Sequence, residues 1–211
     1  FDQSGGGDLT TGTVSATTST TITNSAGAIA LDGSVTSASL VVTATGAVTD
    51  GADGDLAITN NASITGASIT LGDTAGNDTD FGSLTFTSAA GAVSITEDSA
   101  TELTGTSTGD SLTLVSAGAV TDATNTDVTI DNGNASITGT SISLADQATD
   151  TLSVSGTASF DGGAGAITVA AAGAVDFGSL TFNTTGGAVS ITEDSATELT
   201  GTSTGDSLTL V

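Results

Sequence analysis

The sequence contains no Lys, Arg, His, Cys, Pro, Met, Trp or Tyr. The absence of cysteine excludes a disulfide framework. The absence of Lys and Arg removes the side chains that bind nucleic-acid phosphates, so nucleic acid is not expected as a partner. No apolar run is long enough to cross a bilayer, so we expect no membrane insertion.

Two residues that are common in active sites are also absent. Neither His nor Cys is present for acid–base or nucleophilic catalysis at neutral pH. Two carboxylates, for example Glu97 and Asp98, could nominally serve a glycoside hydrolase. Adjacent side chains on a strand point to opposite faces, however, and the same pair recurs at Glu193 and Asp194. We therefore do not expect this chain to be an enzyme.

The residues that are present favour a folded β-structure. The chain has 211 residues, a net charge of −24 and a mean hydropathy of +0.26. High charge with low hydrophobicity would favour disorder, but this hydropathy is positive and the abundant Thr, Val and Ile fit pleated, half-buried surfaces. Six Phe are the only aromatic residues. The interior must therefore be narrow and filled mainly by Val, Ile, Leu and Ala.

A long internal repeat organises the sequence. Phe81–Val115 matches Phe177–Val211 at an offset of 96 residues, and the copies differ only at the four positions that begin with Thr87. A weaker match links Gly46–Asp73 with Gly118–Asp146. Both chain ends resemble cuts through a periodic sequence. We therefore predict that residues 1–211 form one continuous β-solenoid segment of a longer repetitive chain.

A shorter period lies inside this repeat. The phrase Gly-Ala-Val/Ile recurs at spacings that suggest a unit of roughly 19–27 residues, which is typical of solenoids. Within a unit, apolar and polar residues alternate along short segments. Leu112 and Leu114, for example, are expected to share one face of a strand. The strands of a β-sandwich would show the same alternation, but the very short strands and the recurrence of similar segments favour stacked coils. We predict an all-β protein, a parallel β-helix of about nine coils and roughly 45 Å in length.

The stretch "SLTLVSAGAVTDATNTDVTIDNGNASITG" (Ser111–Gly139) resembles the β-strand repeats of giant bacterial surface proteins, including filamentous-haemagglutinin-like adhesins. The shared features are short strands punctuated by Gly-Ala-Val/Ile and Asn-Ala-Ser-Ile. The resemblance implies a right-handed parallel β-helix, secretion, and a role in adhesion, biofilm or fibre formation. It implies no catalytic residues. The chain departs from the family pattern in having no basic residue.

Calcium is the candidate cofactor, because it binds carboxylate and carbonyl oxygens and this chain offers 24 acidic residues. Stacked coils could also align turn residues such as Asp50, Asp122 and Asp146 into acidic columns. The alternative is that Asp favours turns by bonding to its own backbone. The densest acidic clusters, and hence the candidate metal ligands, are Glu97, Asp98, Glu102, Glu193, Asp194 and Glu198.

These features together predict a structural extracellular protein: a rigid stalk or filament of the bacterial cell surface or biofilm matrix. The expected partners are further copies, joined end to end or along a filament, and glycans or cell surfaces. The alternative is an adhesin whose solenoid face binds glycan directly. Ice is a further candidate ligand for threonine ladders, although such ladders require a constant coil length and the spacing here is irregular.

Overall fold

The computed structural model describes all residues 1–211, which form strands and turns. No helix is present, and therefore no helical segment that could cross a membrane. In chain order the strands are β1 (Asp2–Gln3), β2 (Leu9–Thr11), β3 (Val14–Ser15), β4 (Ser19–Asn24), β5 (Ile29–Leu31), β6 (Val35–Ser37), β7 (Ser39–Ala44), β8 (Val48–Asp50), β9 (Leu56–Gly66), β10 (Ile69–Leu71), β11 (Thr79–Ser88), β12 (Ala92–Glu97), β13 (Thr101–Leu103), β14 (Thr106–Gly109), β15 (Ser111–Ser116), β16 (Val120–Asp122), β17 (Asp127–Ile130), β18 (Ala135–Thr138), β19 (Ile142–Leu144), β20 (Thr151–Asp161), β21 (Ile167–Val169), β22 (Ala174–Asn183), β23 (Ala188–Ile191) and β24 (Ser207–Leu210).

The strands stack in parallel on strands of the preceding and following coils. Leu112, for example, pairs with Val93 of the coil before and Ala135 of the coil after. The chain therefore forms a right-handed parallel β-helix of about ten turns, which confirms the predicted fold class. The hand agrees with the strong preference of parallel crossover connections for the right-handed form.

Three faces run along the rod, and we call them faces A, B and C in the order in which the chain visits them. Face A contains β2, β5, β8, β10, β12, β15, β18 and the C-terminal parts of β20 and β22. Face B contains β3, β6, the N-terminal parts of β9 and β11, and then β16, β19, β21, β23 and β24. Strand β13 lies between faces B and C, because it pairs with β16 on face B and, through Leu103, with Leu84 on face C. Face C contains β1, β4, β7, the C-terminal parts of β9 and β11, then β14, β17 and the N-terminal parts of β20 and β22.

Coil length varies within the predicted range. The shortest coil spans 19 residues, from Val93 to its partner Leu112, and the longest spans 25, from Ile142 to its partner Ile167. The strands stay in register because the corners between faces absorb the extra residues. The chain makes about ten turns, one more than the nine expected from the sequence.

The core is a single thin column of apolar side chains. Alternation along each short strand sends every second residue inward, and 44 buried residues form one hydrophobic cluster along the rod. Five of the six Phe lie inside, and the rings of Phe160 and Phe177 meet at a centroid distance of 5.7 Å. The sixth, Phe1, is exposed at the N-terminal end. This interior agrees with the narrow core expected from the scarcity of aromatics.

Glycine permits a β-bulge at the same place in both copies of the repeat. The pairing register of β11 with β9 shifts between Phe81 and Ser83. The register of β22 with β20 shifts at the equivalent place. A Cβ on the intervening Gly82 would lie 2.2 Å from the Thr59 carbonyl oxygen, and one on Gly178 would lie 2.3 Å from that of Ser155. Only glycine allows the neighbouring coil to approach so closely.

The 96-residue repeat is not a whole number of coils. Leu84 lies on face C, where it pairs with Ala62. Its equivalent in the second copy, Leu180, lies on face A, where it pairs with Ala158. The repeat thus spans four coils and one further face. Identical sequences consequently point in different directions around the rod.

Candidate functional site

The structure places Glu97 inside the rod. Glu97 is 1% exposed, and its Oε1 accepts a hydrogen bond of 3.0 Å from the Phe81 N–H at the bulge. Oε2 accepts a hydrogen bond from the Thr101 hydroxyl. Burial raises the pKa of Glu97, while these donors act in the opposite direction. Glu193 makes the equivalent contact, because its Oε1 accepts a hydrogen bond of 3.0 Å from the Phe177 N–H.

The other predicted ligands lie outside the core. Asp98 and Asp194 are exposed and accept hydrogen bonds from the backbone N–H groups of Thr79, at 2.9 Å, and Val175, at 2.8 Å. Glu102 and Glu198 are also exposed. The structure therefore gives a backbone-capping role to four of the six predicted residues. Neither of the two predicted clusters brings three carboxylate oxygens together.

A different set of three carboxylates does converge. Asp122, Asp146 and Asp150 each place one carboxylate oxygen within 4.8 Å of the others. We call this set the acidic corner, because it lies where the chain turns from face B to face C. The sequence predicts that stacking could align the turn residues Asp122 and Asp146, but it does not distinguish Asp150 from the other acidic residues.

Local sequence explains how Asp122 reaches this position. It is the third residue of β16, where alternation points the side chain inward, and it pairs with Leu103 in the coil before. Its Oδ2 accepts a hydrogen bond of 2.8 Å from the Ala145 N–H in the coil after. Its Oδ1 exposes less than 1 Å² and has no hydrogen-bond partner. A carboxylate thus occupies a position where an apolar side chain would continue the core.

The turn that follows β19 supplies the other two carboxylates. Ala145 adopts a left-handed conformation with φ of 54°, which ends the strand and starts the turn. Asp150 is 1% exposed, and its two oxygens accept hydrogen bonds from the N–H groups of Thr126, at 3.1 Å, and Gln147, at 2.9 Å. Asp146 accepts a bond of 2.8 Å from the Gln147 side-chain amide. The turn is therefore held by its own acidic residues.

The electrostatics of the acidic corner are unfavourable for three ionised groups. Burial raises the pKa of Asp122 to about 6, and the carboxylates of Asp150 and Asp146 add to the increase against the opposing Ala145 N–H. No Lys, Arg or His exists in the chain to offset these charges. Chemically, the corner offers a set of hard oxygen ligands, with no thiol or basic nitrogen side chain beside them.

A related corner occurs earlier in the chain, where the turn after β10 stacks on β8. Asp50 occupies the inward position, and its Oδ2 accepts a hydrogen bond of 2.8 Å from the Gly72 N–H. Asp73 takes the place of Asp146, but Asn77 takes the place of Asp150. Burial raises the pKa of Asp50, and the Asn77 side chain acts in the opposite direction. The Asn77 amide also donates a hydrogen bond to the Gly51 carbonyl. This corner has two carboxylates where the acidic corner has three.

The sequence did contain a signal for both corners. Val48-Thr49-Asp50 and Val120-Thr121-Asp122 each place Asp where strict alternation requires an apolar residue. An inward acid at a strand end indicates a corner at which backbone N–H groups need an acceptor. The three-dimensional partners could not be read in the same way, since they lie in the next coil.

Two concave regions lie elsewhere. A cavity of about 410 Å³ opens at the N-terminal end of the rod, where Phe1, Leu9 and Ile22 contribute apolar surface. A smaller one of about 160 Å³ lies beside Leu152, Val175 and Asp194. Neither contains a residue of the acidic corner.

Comparison of the chain with protein-family models, curated proteins and solved structures finds no match in any of the three.

Proposed function

We propose that this chain is a rigid structural segment of an extracellular protein, acting as a stalk or filament of a bacterial cell surface or biofilm matrix. The observation that carries the proposal is the unbroken stacking of parallel strands through about ten turns. Hydrogen bonds between successive coils run along the rod axis, so stretching the rod must break many of them together. Each coil contacts only its neighbours, so length can increase without a change of core.

The surface chemistry supports the same role. Absence of Lys and Arg leaves no trypsin-type cleavage site, and absence of Cys and Met leaves no readily oxidised side chain. The resemblance to filamentous-haemagglutinin-like proteins also supports an extracellular rod. In a filament, copies would join by strand addition at the end coils of the rod.

Mechanical and cellular measurements test this proposal. In force spectroscopy, with the chain held between two marker domains, we expect high resistance followed by release of successive coils. A chain that extends at low force without discrete events would contradict the stalk. Immunogold labelling of producing cells should place the protein on the outer surface or in the matrix, and labelling confined to the cytoplasm would contradict the location.

A second candidate function is direct adhesion by one face of the rod. Face C carries a continuous column of threonines that are exposed or partly exposed, because Thr43 pairs with Thr23 and Thr65, and Thr108 pairs with Thr87 and Thr129. Thr65 pairs with Thr87, so all six threonines lie in one column. The irregular coil length does not disrupt this column, contrary to the expectation from the sequence, because the corners absorb the length differences.

Glycan arrays and ice-recrystallisation assays separate this function from the mechanical one. If face C is adhesive, replacing Thr65 and Thr87 by Val should abolish binding. The matched replacement of Thr113 by Val and Ser136 by Ala on face A should preserve it. Binding that is insensitive to both pairs would contradict a face C site, and the absence of any bound glycan or ice effect would leave the mechanical role as the better explanation.

A further inference from the structure

The acidic corner needs a counter-charge that the chain itself does not supply. Three carboxylate oxygens lie within 4.8 Å of one another, and the sequence contains no basic side chain. Unit charges at such distances repel strongly when partly shielded from water. The counter-charge must therefore come from solution, as a proton or as a cation.

The buried oxygen of Asp122 favours a ligand at this place. Oδ1 of Asp122 exposes less than 1 Å² and accepts no hydrogen bond, although buried acceptors in folded proteins are normally satisfied. Asp50 Oδ1 is also buried and without a partner, but there Asn77 provides an amide beside the carboxylates. At the acidic corner the equivalent residue is Asp150, which brings a further negative charge instead of a donor.

The separation of the ligand atoms fits one ion. Calcium binds oxygen at about 2.3–2.6 Å, so two ligands on opposite sides of the ion lie at most about 5 Å apart. The three oxygens already satisfy that limit without movement of the backbone. Asp122 and Asp150 are held by backbone N–H groups of adjacent turns, so two of the three ligands are positioned in advance.

We propose that Asp122, Asp146 and Asp150 together bind one calcium ion, which fastens the turn after β19 to the strand end of β16 in the coil before. Two coils that otherwise meet through unfavourable charge would then be joined by a shared ion. The site differs from the clusters around Glu97 and Glu193, and the proposal does not depend on the stalk or adhesin function.

Calorimetric titration of the whole chain with calcium chloride, at constant ionic strength, tests the proposal. We expect one saturable site per chain. Asp146→Asn should weaken it at least about tenfold, equivalent to about 1.4 kcal/mol. The matched variant Asp73→Asn removes the same charge from the related corner and should change affinity by less than about twofold. Equal weakening by both variants would show general attraction of cations to an acidic rod and would overturn the site.

Two measurements on the unmodified protein guard against variants that fold poorly. During the titration, the largest amide chemical-shift changes should fall on Ala145, Gln147 and Thr126. The thermal midpoint should rise with calcium and return with EDTA. Changes spread evenly over all acidic turns would overturn the proposal, as would a midpoint that responds to acidification but not to calcium, since a proton would then be the counter-charge.

Discussion

Leu112 and Leu208 occupy the same position in two identical stretches of sequence, yet Leu112 is 2% exposed and Leu208 is 50% exposed. The internal copy is covered by the coil that contains β18, whereas β24 pairs only with β23 on one side. Identical residues therefore make the same strand but not the same core. Burial in a solenoid is decided by the neighbouring coil.

Many of the hydrogen bonds made inside each copy are nevertheless preserved. The Thr85 hydroxyl donates to the Thr104 carbonyl at 2.8 Å, and the equivalent Thr181 donates to Thr200 at 2.7 Å. The N–H of Phe86 donates to the Ser107 hydroxyl oxygen at 3.1 Å, and the equivalent bond in the second copy is 3.2 Å. The repeat is thus a local unit whose internal hydrogen bonds form on whichever face it lies.

Contacts that depend on the following coil differ between the copies. Thr101–Leu103 forms β13, which pairs with β16 of the next coil, while Leu199 makes only an isolated bridge to Leu180. The Thr101 hydroxyl bonds to Glu97, but Oε2 of Glu193 has no partner. The following coil thus orders side chains that the local sequence leaves without partners.

The largest effect is expected from removing one coil out of register, and the in-register deletion of one coil is its control. Deleting Val93–Ser111 joins Ala92 to Leu112 and lets Ile69 meet Leu112 where it met Val93. This variant should fold, with a loss of about 1–3 kcal/mol because the Phe81 N–H loses its acceptor Glu97. Deleting one residue more, Val93–Leu112, reverses the inward and outward faces of the joined strand.

Circular dichroism and chemical unfolding distinguish the two deletions. The first should keep a β spectrum and a cooperative transition, and the second should lose the transition. Similar behaviour of both variants would mean that strand register does not determine the fold.

The next effect in size concerns the two equivalent leucines. Leu112→Ala removes a fully packed side chain from the core and should destabilise the rod by about 2–5 kcal/mol. Leu208→Ala removes a half-exposed side chain and should cost less than about 1 kcal/mol. Urea unfolding followed by hydrogen exchange at β15 and β24 measures both. Equal losses would contradict the conclusion that the neighbouring coil determines burial.

A smaller, pH-dependent effect is expected at Glu97. Burial raises the pKa of its carboxyl group above the ordinary value of 4.5. The folded state therefore retains a proton that the unfolded state releases, so this contribution is fully present below pH 4.5 and is lost as pH rises through the folded pKa. Glu97→Gln keeps an acceptor for the Phe81 N–H, and it should reduce the fall in stability with rising pH.

Unfolding free energies measured from pH 4 to pH 8 test this prediction. Glu102→Gln, an exposed neighbour, is the control for the loss of one charge. A Glu97→Gln variant whose pH profile matches that of the parent would contradict the assignment.

The smallest effect is expected from exchanging the only segment in which the copies differ. Replacing residues 87–90 by the Asn-Thr-Thr-Gly of the second copy preserves a key contact. The Ser88 hydroxyl donates to the Ala67 carbonyl at 2.9 Å, and the equivalent Thr184 hydroxyl donates to the Gly165 carbonyl at 2.8 Å. Stability should change by less than about 0.5 kcal/mol. A larger loss, measured by urea unfolding, would show that the segment is specific to its face.

Much of the fold could be predicted from the sequence, because alternation and repetition are local patterns. Leu112 and Leu114 were correctly assigned to one face, and coil lengths fall within the expected range. The acidic corner could be predicted only in part. Asp122 and Asp146 are 24 residues apart in the chain, and no local pattern states that their carboxylates meet.

The sequence by itself determined the strands, the thin apolar core, the parallel stacking of like segments and the backbone-capping contacts that recur in both copies. These depend on neighbours along the chain or on an alternation with a period of two residues. Only the tertiary structure decided which face each copy occupies, which leucine is covered and which carboxylates converge. The reason is that stacking places residues 19 to 25 positions apart in contact, and small changes in corner length choose the partner.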